Sequence, residues 1–380
     1  MNKKTDRALA YGFIAALFSM SFAFVALPNQ AFSETENRTL QSSPKLTWSN
    51  LWSKKFAEEA ENYVTDHFPF RDRWVWMKSG LEQIRLQQEN NGIYKGKDGY
   101  LFEKFAEPDY EKAAKYAEAI KRFAERNPQA NATFVLAPTS IGVYAERLPW
   151  LASAYPQSKV NAYIANKTEG GPTFLNGDDF LSPDSDKPLY YRTDHHWTTY
   201  GAYLAYRAYA KEMGWKPKPE SEFDIRTVTS SFLGSYHTKS QFSGLSPDSI
   251  QAYLPKQPVK TTAYVADTDE TFDSLYAPEY LDKKDKYSYF LGGVHALMEI
   301  KTELAPEASS LDKLLVIKDS YAHSVIPFLT LHVPDIHVID IRYYNGSIDG
   351  YMKEHGIRNV LLLFNTATFV DNASLLKLND

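Results

Sequence analysis

The chain has no cysteine in 380 residues. This excludes disulfide staples, Cys-ligated zinc, iron–sulfur clusters and a thiol nucleophile. A basic surplus is also missing: 42 Lys and Arg stand against 47 Asp and Glu, a formal net charge of −5. The electrostatic footprint of a nucleic-acid binder is therefore absent, and no nucleic-acid partner is expected. Internal repeats and low-complexity tracts are lacking. Only one long apolar run occurs, which excludes a polytopic membrane protein. What is present is the composition of a folded globular chain, 43% hydrophobic and 23% charged, long enough for two or three domains or one large core with an extension. Tyrosine is abundant, 26 against 7 Trp. Tyr-rich faces stack on sugar rings, although a core and rim built with Tyr is the plainer reading.

The apolar run lies at the N-terminus. Lys3, Lys4 and Arg7 precede it, and from Ala8 to Leu27 no residue is charged. About 20 such residues span a bilayer as a helix. The basic flank places the N-terminus in the cytoplasm and the rest of the chain outside. A secretory signal shares this layout but ends in a small-x-small cleavage site. Ala26-Leu27-Pro28-Asn29 is a poor one, so an uncleaved single-pass anchor in the cell membrane is expected, with a secreted body if the segment is cleaved.

The remaining chain falls into recognisable parts. Residues 1–30 form the anchor, and 31–105 a stalk, a helical segment and a hairpin. The helical pattern covers Phe56–Tyr63 and Asp72–Gln88, and the hairpin Gly92–Phe102. Residues 106–221 and 291–380 alternate buried strands (Ala132–Ala137, Leu314–Lys318, Ile336–Ile341, Asn359–Phe364) with helices (Tyr110–Arg126, Ser158–Asn166, Thr198–Met213, and one near Ala322–Leu331). Continuously apolar strands alternating with helices predict an α/β fold with a mostly parallel sheet covered on both faces. Residues 222–290 break the rhythm and read as a β-rich insertion. A short strand, Leu189–Arg192, is expected to lead into Asp194-His195-His196-Trp197.

Two segments carry chemistry. Ser320 follows a buried strand and precedes a helix, which puts its hydroxyl at the C-terminal edge of the sheet, where α/β ligand sites form. The helix N-terminus behind it offers N–H groups to a developing oxyanion; Ser as an ordinary N-cap explains the same position. Asp194 and His196 sit two apart in one loop, so an extended backbone turns both side chains to one side. An imidazole held by a carboxylate is the general base that a Ser nucleophile needs. The same Asp with paired His also has the makings of a metal site, but no other His shows metal-ligand spacing, and no metal or cofactor is expected. Gly292-Gly293 and Asn365 lie where oxyanion donors are needed.

The blocks TDHHWT, GAYLAY, YFLGG-x-HAL and LLVIKDSYA resemble the bacterial DHHW family, related to alginate O-acetyltransferase-like proteins of the SGNH hydrolase superfamily. Glu36-Asn37-Arg38, Asp66–Arg71 (DHFPFR) and Gly96–Phe102 (GKDGYLF) agree with it. The resemblance implies an SGNH-hydrolase-like fold with a circularly permuted motif order. It also implies a triad of Asp194 as acid, His196 as base and Ser320 as nucleophile. Gly293, Asn365, His195 and Tyr321 are oxyanion or substrate contacts by analogy only. Two features depart from ordinary SGNH enzymes: Lys318 replaces the Gly of the GDS block, and the Asp–His spacing is one residue shorter. The implied activity is O-acylation, most simply O-acetylation, of a polysaccharide acceptor, with a polytopic membrane acyltransferase as donor. A carbohydrate esterase with the same triad and a non-catalytic polysaccharide-binding protein are the alternatives.

Overall fold

The computed structural model describes residues 3–33, 38–71, 73–74, 77–78, 80, 88–306 and 309–379. Glu36, Asn37 and much of the expected helix Asp72–Gln88 lie outside the described residues. The chain divides into two compact units, one of residues 1–90 with 238–244, the other of residues 91–237 with 245–380.

The first unit begins with α1 (Lys3–Ala26), whose stretch Thr5–Ala26 is long and apolar enough to cross a membrane. At 1.5 Å per residue its 22 positions reach about 33 Å, the thickness of a hydrocarbon core. None of its apolar side chains is buried against the protein. Helices α2 (Trp48–Trp52) and α3 (Lys55–Asp66) follow. Thr47 caps α2 by accepting from the Asn50 amide.

The second unit opens with the hairpin β1 (Ile93–Lys95) and β2 (Leu101–Glu103), paired antiparallel around the turn Lys97–Gly99. Helix α4 (Tyr110–Arg126) starts where Asp109 accepts from the amides of Glu111 and Lys112. It buries Ala113, Tyr116, Ala117, Ile120 and Phe123, the i, i+3, i+4, i+7 stripe of a core-facing helix. Then come β3 (Asn131–Ala137), α5 (Gln157–Lys167), β4 (Thr173–Asn176) and α6 (Thr199–Glu212). The stretch read as an insertion supplies the antiparallel pair β5 (Phe223–Phe232) and β6 (Asp248–Pro255), then β7 (Thr261–Val265) and β8 (Glu270–Phe272). The chain closes with β9 (Leu297–Thr302), β10 (Lys313–Lys318), β11 (Asp335–Asp340), α7 (Ile348–His355) and β12 (Asn359–Asn365).

Eight of these strands make one mixed sheet in the order β8-β7-β9-β11-β10-β12-β3-β4. From β11 to β4 every pairing is parallel; β9, β7 and β8 extend the edge antiparallel. Strands β7 and β8 thus add to the main sheet, while β5 and β6 pair apart from it. The central strands are buried on both faces: Leu314 to Ile317 and Val360 to Leu362 are inaccessible to water. Each such side chain contributes about 1.5–3 kcal/mol of burial, which is why these segments read as unbroken apolar runs.

The parallel register fixes the site. Lys318 lies level with Asp340 on one neighbour and Leu363 on the other, and Asn365 lies level with Ala137. The residues that follow β10 and β12 therefore emerge side by side at the C-terminal edge. Two expectations give way here. Leu189–Arg192 forms no strand of the sheet; a single bridge joins Tyr190 to Trp197, and the loop pairs with itself through Tyr191 N–H on His196 O and Thr198 N–H on Leu189 O. The helix expected near Ala322–Leu331 is instead a 3₁₀ turn, Ser320–Ser324, followed by a short helix, Ile326–Leu329. Pro327 has no N–H to give a ladder running back into that turn, so a continuous helix is interrupted.

Candidate active site

Asp194, His196 and Ser320 meet. The Ser320 hydroxyl lies 2.7 Å from His196 Nε2, and His196 Nδ1 lies 2.6 Å from Asp194 Oδ1. An ionised carboxylate only accepts, so Nδ1 carries the proton and Nε2 accepts from Ser320. Asp194 and His196 are buried, while Ser320 is partly open to solvent. This is the geometry that lets a hydroxyl lose its proton as it attacks a carbonyl.

Asp194 is anchored at three points. Oδ1 accepts from the His196 amide at 2.9 Å as well as from its ring, and Oδ2 accepts from the Ser235 amide at 2.7 Å. Burial alone pushes the Asp194 pKa up, but the neighbouring imidazoles of His195 and His196 and these hydrogen bonds outweigh it. The carboxyl is thus held well below its ordinary range and stays ionised. His195 is pushed down to about 4, by burial first and the adjacent His196 second. It is therefore neutral near pH 7; its Nδ1 lies 2.6 Å from Ser235 Oγ, and its ring packs against His196 with centroids 3.7 Å apart.

Residues 156–339 match the family model described as DHHW protein. This stretch is similar to the DHHW family. A DHHW family protein from Eubacterium siraeum has a similar structure, with TM-score 0.67 and 25% identity over 77% of this chain and 96% of that one. Bacillus cereus PatB1, in a structure with a sulfonyl adduct, is similar in fold at TM-score 0.64 and 17% identity, over 76% of this chain and 100% of that one. A weaker likeness, TM-score 0.46 at 14% identity, links 76% of this chain to 98% of the O-acetyltransferase domain of Pseudomonas putida AlgJ. No curated protein matches the chain.

The fourth letter of the DHHW motif has a physical task. Trp197 is fully buried, and its Nε1–H donates to Tyr321 O at 3.0 Å and Ser324 Oγ at 3.1 Å. It ties the loop that carries His196 to the turn that carries Ser320. The Tyr321 hydroxyl closes the same junction by donating to His195 O at 2.6 Å.

Four supporting residues escaped the sequence reading, all from residues 222–290. Tyr287 stacks on His196 at 3.6 Å between centroids and 10° between planes, and its hydroxyl reaches Ser320 O and Ser324 Oγ. Asp248 accepts from the amides of Arg192 and Thr193 and from the Thr193 hydroxyl, clamping the backbone just before Asp194. Ser235 holds Asp194 and His195. Gly234 lies so close to Asp194 that an added Cβ would overlap its Cβ and Oδ2. No local pattern announces these residues, because each reaches the Asp194–His196 loop from roughly 40 or more positions away in the chain.

The residues placed at the oxyanion by analogy are otherwise engaged. Both amide hydrogens of Asn365 are committed, one to Asp319 Oδ2 and one to Thr368 Oγ1, each at 2.7 Å. The Tyr321 amide donates to Asp319 Oδ1. Gly293 sits in a turn with φ 98°, its amide aimed at Phe290 O, and a Cβ placed on it would meet the Ser288 hydroxyl at 3.0 Å. Asp319 therefore joins the Ser320 turn to the end of β12, and burial raises its pKa to about 6 against the bonds from Asn365 and Tyr321.

Lys318, where a Gly was expected from the SGNH pattern, is fully enclosed. Its ammonium donates to His323 Nε2 at 2.7 Å and Asp340 Oδ2 at 2.9 Å, and Arg342 grips the same Asp340 with two bonds. Burial pulls the Lys318 pKa down, while Asp340 opposes this. Among the described residues, two clusters have ligand atoms close enough for a metal, Asp194–His195–His196 and Glu299–His337–His355. In the first, His196 already spends both ring nitrogens on Asp194 and Ser320. In the second, the Tyr351 hydroxyl lies between His337 Nδ1 and Glu299 Oε1.

Proposed function

We propose that the chain is an extracytoplasmic O-acyltransferase, most simply an O-acetyltransferase, that modifies hydroxyls of a cell-surface or secreted polysaccharide through an acyl-Ser320 intermediate. The observation that carries this reading is the unbroken relay from Asp194 through His196 to a solvent-reachable Ser320. Ser320 Oγ attacks the acyl carbonyl while its proton passes to His196 Nε2. Collapse of the tetrahedral adduct expels the donor's leaving group, which takes that proton. A sugar hydroxyl then gives its proton to His196 and attacks the acyl-Ser, and the second collapse returns the proton to Ser320. Asp194 stays ionised and stabilises the imidazolium formed in each half. The fold is an SGNH-like one with its motifs in permuted order, and α1 is an uncleaved anchor. It keeps the active unit on the outer face beside a membrane-embedded acyltransferase that supplies the acyl group.

PatB1 has been captured with a sulfonyl adduct, and Ser320 is the group here that such a reagent would mark. The test uses the purified full chain with a sulfonyl fluoride and, separately, with an aryl acetate and a polysaccharide. The reading expects sulfonyl and acetyl mass increments on the Ser320 peptide and ester gained by the glycan, all lost in Ser320→Ala and His196→Ala. Ester cleavage with no gain by any glycan would make the protein an esterase. An unmodified Ser320 would end the acyl-enzyme mechanism.

A further inference from the structure

The sequence DHFPFR at residues 66–71 has no part in the chemistry above. In the first unit it folds around the exit of α1. His67 places Nδ1 3.0 Å from Tyr63 O and Nε2 3.2 Å from Gln30 O, and Asn29 donates to the Tyr63 hydroxyl at 2.7 Å. Phe24, in the last turn of α1, packs edge-on against Tyr63. The end of α3 and the turn after it are thus pinned at the level where the apolar helix ends. Leu27 to Gln30 and His67 to Arg71, with Arg73, line one concavity of about 350 Å³.

Around this concavity apolar rings point outward. Phe68 is 42% exposed, Phe70 53% and Trp74 42%. Phe70 also has φ 57°, a left-handed conformation that a bulky side chain adopts only at a free-energy cost. Core packing does not explain that cost, since the ring faces out. The Arg73 guanidinium lies over the Phe70 ring at 5.8 Å. Aromatic rings beside Arg, directly at the end of a membrane-length helix, are the composition of a bilayer interface. There the rings sit among headgroups and the cations meet lipid phosphates.

We infer that this collar, Phe68, Phe70, Arg73 and Trp74, is a second membrane-binding element that seats in the phospholipid interface beside the exit of α1. The occupant is lipid because the collar is continuous with the apolar helix and because the Arg73 cation complements anionic headgroups. It fixes the first unit at the bilayer surface instead of leaving it to swing on a tether. The inference rests on α1 being embedded in the membrane, and the test separates the two.

The cysteine-free chain accepts single labels directly. Nitroxides are placed on the full chain at Phe68→Cys, Phe70→Cys and Trp74→Cys, in vesicles of phosphatidylethanolamine and phosphatidylglycerol. Leu17→Cys, midway along α1, calibrates the bilayer interior, and Glu169→Cys the aqueous phase. The ratio of collision with oxygen to collision with a water-soluble nickel chelate reports depth. At 68, 70 and 74 this ratio is expected several-fold above Glu169 and below Leu17, and the ratio at 68 falls toward the aqueous value in an Arg73→Glu background. Aqueous ratios at all three collar positions with a lipid ratio at Leu17 would overturn the collar and leave the anchor standing. Shielding from both reagents would mean a protein contact and would equally overturn it. A lipid ratio at the collar with an aqueous Leu17 would sustain the collar and remove the anchor. Three independent positions guard against Phe70→Cys relaxing its own strained turn.

Discussion

Replacing Gly234 by Ala tests whether the acid of the relay is set by its surroundings. The new methyl would overlap Asp194 at Cβ and Oδ2. Either Asp194 moves or the 234–235 backbone does. The first breaks the 2.6 Å bond to His196 Nδ1, and the second breaks the 2.7 Å bond from the Ser235 amide. A hydrogen bond to a charged group is worth about 1.5–3 kcal/mol. At 1.36 kcal/mol per tenfold, its loss lowers the acylation rate by about 10- to 150-fold. Because Asp194 is buried and reaches Ser320 only through His196, kcat should fall while KM hardly moves. Overpacking also costs about 1–3 kcal/mol of stability, so a denaturant midpoint is measured alongside to confirm that the variant is folded. The assay is aryl acetate cleavage with quantitation of acyl-Ser320. Asp194→Asn serves as the limiting case, with a wrong imidazole tautomer and a loss of about 10⁴-fold in the serine-protease precedent. A folded Gly234→Ala protein with unchanged kcat, beside an inactive Asp194→Asn, would refute the claim that this close contact positions the acid.

Trp197→Phe keeps the ring but removes the N–H that serves Tyr321 O and Ser324 Oγ; it should cost about 1–3 kcal/mol in denaturant unfolding and lower kcat, and an unchanged midpoint would sink that role. Lys318→Met strips a buried cation from Asp340, a change that costs about 3–5 kcal/mol when nothing else pairs the remaining charge. Arg342 still holds Asp340 twice, so the loss in thermal or chemical unfolding should fall short of that range, and a gain in stability would contradict the network. Buried His332 is held down at about 4, by burial and then Lys218, and buried His323 well below its ordinary value, by burial and then Lys318. The unfolded chain takes up protons at these positions near the ordinary value of 6.5, whereas the folded chain does not. The stability these two sites contribute is therefore fully present above about 6.5 and falls as the pH drops towards about 4, by up to about 2.7 kcal/mol per pH unit for the pair. Flat denaturant midpoints across that window would refute this.

The parts of the site that were legible are those written locally. Asp194 and His196 are two residues apart, and one turn of backbone suffices to put the carboxylate on the imidazole. Ser320 was legible as a hydroxyl after an apolar strand. The analogy to oxyanion donors was not a local pattern, and Asn365 illustrates why: a polar residue at a strand end reads as a free amide, yet Asp319 on the neighbouring strand's exit takes one of its hydrogens. Tyr287, Asp248 and Ser235 were invisible because they lie roughly 40 to 90 residues from the loop they support, in a stretch whose composition marked it only as different.

The local elements can be read along the chain: a membrane-length apolar helix, buried strands alternating with amphipathic helices, and two short motifs rich in chemistry. Side-chain hydrophobicity and local hydrogen bonding act within a few residues, so they can be read from the string. Tertiary structure alone decided that the two motifs face each other across 124 positions of chain, that the Ser320 turn is 3₁₀, and that the irregular stretch frames the acid and base. Those outcomes depend on parallel register and on close packing between distant segments, which no window of sequence contains.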